Sequence, residues 1–369
     1  MSNLYTGLPL LEDRAMRARC AERLLRLRET LAPLRAKRSD ASLLLATWNI
    51  RDFGANRFAA PRLPESLYYL AEIASCFDLI ALQEVNRDLS EFEKLVAILG
   101  EGWDYILTDA TEGTSGIGER MAFLYNRAKV RFRHIAGEIV LPSGQLIVAA
   151  RDAGRPAVQP DRPDGEPVAG QQFARTPFLV AFEAGWFRFN LCTVHIYYGK
   201  ESGAELQRRI AEIRALVDFF ARRQDAESRL AGSLQEAENY ILLGDFNVVS
   251  PEHDTMAALK REGFVVPDQI DARNVAARDH FYDQIAVRTM DPRFRVLDGG
   301  VVDLFSDAFT DADLPLYEPL VPTRPRNRTL LRRYQAWRTW QLSDHEPLWV
   351  QVQTDFSDTY LKQVLATER

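Results

Sequence analysis

With 369 residues, of which 46% are apolar and 27% charged, the chain is long enough to bury a large core and too ordinary in composition for a disordered or fibrous protein. No apolar run approaches the roughly 20 residues a membrane span needs, and the first thirty residues scatter arginines among acids, so neither a transmembrane helix nor a secretory leader is expected. The net charge of −6 gives no global pull towards polyanions, while Cys20, Cys76 and Cys192, odd in number and free of CxxC spacing, argue for reduced thiols in a cytoplasmic setting rather than disulfides or a thiolate metal site.

Residues 10–38 read as one amphipathic helix, with Met16, Cys20, Leu24, Leu27, Leu31 and Leu34 in three- and four-residue steps and arginines on the other faces. Pro33 is a point where it would kink or end. "SLLLATWNI" (42–50) reads as a strand, "LPESLYYLAEIAS" (63–75) as a helix and "FDLIALQEV" (77–85) as a buried strand. "ERMAFLYN" (119–126) and "VRFRHIAGEIVL" (130–141) look like neighbouring strands joined by a short turn. The stretch 152–172, rich in Pro and Gly, is a candidate substrate-facing loop. A hairpin follows over 176–196, turning at Ala184 and Gly185, then a long helix over 203–224. "NYILLGDFNVVS" (239–250) is a buried strand broken by Gly244 and an acid, and "YDQIAV", "VVDLF" and "EPLWVQVQT" supply further strands. This mixture predicts two packed sheets covered by helices. No linker divides the chain, which is expected to form one domain over 41–355, with a helical extension at 1–40 and a tail at 356–369.

Polar residues recur where these strands begin or end. Asn49 closes "LLLATWN", Glu84 closes "LIALQE" and His195 closes "LCTVH"; Asp245 and Asn247 follow "ILLG", and Asp344 and His345 precede "EPLWV". One such residue is unremarkable, since an Asx turn explains Asp245 alone. Five sites drawn from the whole chain suggest one functional rim. Carboxylates and amides without thiolates suit a hard cation, Mg2+ or Mn2+, with Ca2+ also compatible. The two histidines can donate to phosphate oxygens or exchange protons near neutral pH. No GxSxG, reactive-cysteine setting or glycine-rich phosphate loop is present, so metal-assisted attack by water is the consistent chemistry.

"TWNIRDFG", "LIALQEV", "TVHIYYG", "LLGDFNVV" and "LSDHEPLWV", in this order over roughly residues 42–353, resemble the five motif blocks of the endonuclease/exonuclease/phosphatase superfamily. "GERMAFLYN", "ARTPFLVAF" and "HFYDQIAV" look most like pancreatic-type deoxyribonuclease within it. The resemblance implies a four-layered α/β sandwich carrying its site at one edge. It also implies Glu84 as principal metal ligand, with Asn49 beside it and Asp344 assisting. Glu119 would orient His195, and Asp283 would pair with His345. Asp245 would orient or deprotonate the attacking water, Asn247 would hold the developing oxyanion, and Arg175 would reach a phosphate.

Fold and metal do not name a substrate in this superfamily, whose members act on DNA, RNA, inositol phosphates and sphingomyelin. "TRPRNRTLLRRYQAWRTWQLSDH" is the best discriminator: six arginines, including Arg332 and Arg333, with no acid between 323 and 343, and Tyr334, Trp337 and Trp340 interleaved. That pattern suits a nucleic-acid backbone with bases on Trp337, and it would also suit anionic lipid head groups. The sequence thus favours a metal-dependent nuclease. A phosphatase or phospholipid phosphodiesterase of the same fold is the alternative, and a catalytically silent binding module a third reading.

Overall fold

The apolar runs become two packed β-sheets in the computed structural model, which describes residues 4–54, 62–110, 118–148, 170–230, 238–270 and 281–367. The strands are β1 (Ser42–Phe53), β2 (Leu79–Val85), β3 (Trp103–Leu107), β4 (Arg120–Asn126), β5 (Arg131–Glu138) and β6 (Phe178–Ala184). They continue with β7 (Phe187–His195), β8 (Asn239–Asp245), β9 (Asp283–Arg288), β10 (Val296–Val301) and β11 (Leu348–Gln353). One sheet is six-stranded in the order β10-β11-β1-β2-β4-β3, the other five-stranded in the order β5-β6-β7-β8-β9. Each is mixed, with one parallel pair at its centre: β1 beside β2, and β7 beside β8.

The helices are α1 (Arg14–Arg35), α2 (Pro64–Ala74), α3 (Ser90–Leu99), α4 (Gly203–Leu230), α5 (Asp254–Leu259), α6 (Leu314–Tyr317), α7 (Leu330–Gln341) and α8 (Ser357–Thr367). Strand periodicity separates the layers. Leu43 and Leu45 of β1 join the core between the sheets, whereas Leu44, Ala46 and Trp48 join a second core beneath α1, α2 and α7. α4 covers the other sheet through Ile210, Ile213, Leu216 and Val217. These layers form the four-layered sandwich. Leu44 and Leu45 are fully buried, so truncating either to Ala costs about 2–5 kcal/mol.

α1 belongs to this body. Asp13 caps it by accepting from the Ala15 and Met16 amides at 2.7 and 3.1 Å, and Pro33 sits inside it without ending it. Three of its arginines are engaged, Arg19 with buried Glu65 at 2.6 Å and Arg35 and Arg23 with Glu72 and Asp313, and just beyond its end Arg38 pairs with Asp78 at 2.9 Å.

Three expectations are corrected. β4 and β5 are not neighbours: the turn after Asn126 carries the chain from one sheet to the other, so the two runs lie in different layers. The strand expected at "VVDLF" ends where that motif begins, because Val301 is the last residue of β10. Residues after β11, expected as a tail, form α8. Residues 152–169 of the Pro- and Gly-rich stretch lie outside the described residues, while Gln171 pairs with Ile147 in an isolated bridge.

Candidate active site

The carboxyl ends of the two central parallel pairs meet at one edge. In the five-stranded sheet, register sets His195 of β7 beside Asp245 of β8, and Asp245 beside Asp283 of β9. Gly244 makes this possible: its φ is 134°, and an added Cβ would stand 2.2 Å from the Val194 carbonyl oxygen, so only glycine lets β8 lie this close to β7. Asp245 is 2% exposed and sits between two imidazoles, with His195 Nε2 at 3.6 Å and His345 Nε2 at 4.0 Å from its Oδ2. The same oxygen accepts from Asn49 Nδ2 of the facing sheet at 3.1 Å, and Oδ1 accepts the Asn247 amide at 2.9 Å. Asn247 turns the chain at φ 51° and donates its side-chain amide to the Ile196 carbonyl at 2.8 Å.

Each imidazole has an acid behind it. His345 Nδ1 lies 2.5 Å from Asp283 Oδ2, a fully buried carboxylate. His195 Nδ1 lies 3.3 Å from Glu119 Oε2 without hydrogen-bond alignment, and Glu119 is also ion-paired to Arg175. Glu84, at φ 60°, accepts the Asp52 amide at 2.8 Å and the Asn49 side-chain amide at 3.1 Å. A cavity of about 220 Å³ opens beside these groups, lined by Arg51, Asp52, Glu84, Asn86, Glu119, Arg175, Asp344 and His345.

The donor set fits a hard divalent cation. Glu84, Glu119 and His195 each offer a ligand atom within 4.8 Å of the others. Asn49 must turn its NH2 towards Glu84 and Asp245, which only accept, so its Oδ1 is left buried with no hydrogen-bond partner. An orphaned acceptor beside a carboxylate is what an oxygen-ligated ion would satisfy.

Residues 46–345 match the Endonuclease/Exonuclease/phosphatase family. The chain belongs to that family. Among solved structures, a protein of the same family from Bacteroides thetaiotaomicron shares 18% identity over 86% of this chain and 99% of its own, at a TM-score of 0.49. A functionally unknown conserved protein from Enterococcus faecalis shares 17% over 85% and 100%, at 0.50. A mannosyl-6-phosphatase from Bacteroides thetaiotaomicron shares 18% over 84% and 99%, at 0.47. No curated protein matches the sequence. At these identities the likeness concerns the fold and leaves the substrate of this endonuclease/exonuclease/phosphatase family member to its own residues.

Its electrostatics separate the two histidines. Burial and the neighbouring Arg175 push the His195 pKa down, so this ring is neutral near pH 7. Burial works against the charge of His345 too, yet the Asp283 charge raises it well above the ordinary imidazole value. Burial raises the Asp283 carboxyl too, so the pair as a unit takes up one proton and holds it. Burial also works against ionisation of Asp245, but His345, His195 and the hydrogen bonds from Asn247 and Asn49 outweigh it and keep the carboxylate charged.

Not every residue singled out in the sequence of this family member reaches the cluster. Asp344 lines the cavity, but its carboxylate lies 3.2 Å from Arg51 Nη1, away from the Glu84, Glu119 and His195 group. Trp337 is 4% exposed and packs against Phe309, Tyr317 and Tyr334. This corrects the expectation that it stacks on substrate: the aromatic stripe of α7 is helical core. Arg332 is exposed, and half-buried Arg333 donates to the Arg328 carbonyl at 2.8 Å, both near the end of α7 remote from Arg51. Arg51 was missed. It stacks over Trp340 at 4.1 Å and lies two residues beyond Asn49 on β1, a spacing that puts both on one face. Glu212 and Arg209 of α4 were missed as well. Glu212 accepts the Ala174 and Tyr197 amides at 2.8 and 3.3 Å, and buried Arg209 donates to the Asn247 carbonyl at 2.9 Å.

Proposed function

We propose that this chain hydrolyses phosphodiesters by attack of water on phosphorus, with nucleic acid as its substrate. The observation that carries the reading is Asp245, a buried carboxylate within 4.0 Å of two imidazoles that carry different charge. Asp245 orients the attacking water and accepts its proton. The proton held by His345 and Asp283 is offered to the phosphoryl group as negative charge builds there and passes to the leaving alkoxide oxygen as its P–O bond breaks. Neutral His195 has a single N–H, and because Nδ1 makes no hydrogen bond to Glu119 that proton is free to sit on Nε2 and be donated without adding a second positive charge beside Arg175. Arg175 and Arg51 border the cavity where the phosphate binds. Glu84 and Asn49, with Glu119 and His195 close by, are the residues that would hold Mg2+ or Mn2+, with Ca2+ as a further fit, and such an ion supplies charge neutralisation at the phosphoryl oxygens. Asp344 would assist only after releasing Arg51.

Nucleic acid is favoured over a small phosphoester because Arg324, Arg326, Arg328 and Arg332 all lie exposed, a basic run suited to a polyphosphate backbone. Purified protein incubated with plasmid DNA, RNA, inositol phosphates and phospholipid vesicles, with and without EDTA, tests the assignment. Nucleic acid should be cleaved, and EDTA should abolish cleavage until Mg2+ or Mn2+ is restored. Selective hydrolysis of inositol phosphates or of lipid would move the substrate to that class, and failure on every phosphoester would end the hydrolytic reading.

A further inference from the structure

Beyond the acids and imidazoles, an aromatic path leads out of the site. The Tyr282 ring lies 5.7 Å from the His345 imidazole at an interplanar angle of 32°, and the Tyr198 ring meets Tyr282 edge-on at 6.0 Å and 81°. Burial and the neighbouring Tyr198 raise the Tyr282 hydroxyl pKa. Tyr198 is 42% exposed, an unusual place for a tyrosine whose position is otherwise so constrained.

The constraint comes from below. Arg209, fully buried, holds its guanidinium 4.8 Å from the centre of the Tyr198 ring. It also donates to the carbonyls of Tyr198 at 2.9 Å, Lys200 at 3.1 Å and Asn247 at 2.9 Å. A buried cation is costly to leave unsatisfied, so these bonds fix the loop after β7 against the loop after β8. The exposed ring is therefore preset relative to Asn247 and His345 and does not have to be ordered by a ligand.

We propose that Tyr198 is a specificity-determining residue, an aromatic shelf on which an unstacked nucleobase next to the scissile phosphate rests, with Tyr282 and Arg209 as the positioning residues that brace it. The inference builds on the hydrolytic reading above and narrows its substrate to strands whose bases are free to leave the stack. A planar ring matches a rigid phenol face whatever the base, so this contact selects bases over bare backbone without reading sequence.

The test uses two single-stranded probes with identical backbones, an oligothymidylate and an oligomer of the same length built from abasic tetrahydrofuran units. Cleavage by the full-length protein in Mg2+ is measured as kcat and KM. Wild type should prefer the base-bearing strand by about tenfold in kcat/KM, carried mainly by KM. Tyr198→Ala should bring the ratio of the two strands close to one, and Tyr198→Phe, which keeps the ring, should restore the preference. Circular dichroism on each variant checks that the fold is retained. Equal cleavage of both strands by wild type, or an undiminished preference in Tyr198→Ala, would overturn the shelf alone. Failure of wild type to cleave either strand would instead count against the hydrolytic reading, and the shelf would fall with it.

Discussion

The two histidine arms of the site are built from the same parts and reach opposite electrostatic states. Each imidazole is buried and has a carboxylate at its Nδ1, yet His195 is driven neutral and His345 holds a proton. The difference is how the acid is already engaged. Glu119 is shared with Arg175, so its charge is largely spent before His195 meets it, whereas no arginine is paired with Asp283 among the described residues. A carboxylate behind a histidine therefore sets its charge only when no cation competes for that carboxylate.

Substitutions in the two arms differ in the size of their expected effects. The largest effect is expected where both arms converge: Asp245→Ala should lower kcat by about 10²–10⁴-fold while the circular dichroism spectrum stays that of the wild type. Asp283→Asn should come next. The folded-state pKa of His345 is raised above its unfolded value, so its contribution to stability is complete below about pH 6.5 and fades as pH rises through the raised value. The variant should accordingly be less stable by about 3 kcal/mol near pH 6, with the gap from wild type narrowing in alkali, as followed by urea denaturation.

Arg175→Met addresses the other arm by freeing Glu119, and should make His195 resemble His345. An upward move of the His195 pKa in an NMR titration would support the account, and no movement would refute it. Glu212 acts on the same arm through the backbone beside Arg175. Burial pushes its carboxyl up to about 7, so the folded chain binds that proton more tightly than the unfolded one, and stability should fall as pH climbs from about 4.5 to about 7. Glu212→Gln should flatten that segment of a thermal-melting profile. The smallest change is expected from Arg332→Ala, which should leave kcat intact and reduce only the salt dependence of KM, because its side chain stands apart from both arms.

What could be read in the sequence follows from the physics of each feature. The buried strands were legible because β1, β2, β7 and β8 are apolar runs with a polar residue at or near the carboxyl end, and those ends carry much of the candidate site. Asp283 was legible for a related reason, as an acid in an otherwise apolar strand. The placement of β4 and β5 was hidden, because both are local patterns and nothing in the four residues between them says which sheet the second strand joins. The arginine and tryptophan stripe of α7 misled, since aromatic residues at helical spacing fit a core as well as a ligand surface, and only tertiary packing against Phe309 and Tyr317 decides. Arg209 and Glu212 carried no signal of their own within a long charged helix, and their burial depends on the loops that fold over α4.

The polar seam between the sheets has a consequence for how the enzyme would fail. Gln83 of β2 bonds Thr47 of β1 and reaches across to Thr193 of β7 at 2.8 Å, one residue before Glu84 and two before His195 in their respective strands. The groups that must meet at the reaction centre thus ride on separate slabs, and this tether together with the apolar filling sets the gap between them. Slippage of a few tenths of an ångström, from heat, pressure or a trimmed core methyl, would spoil alignment while both slabs remain intact. Inactivation would then precede melting.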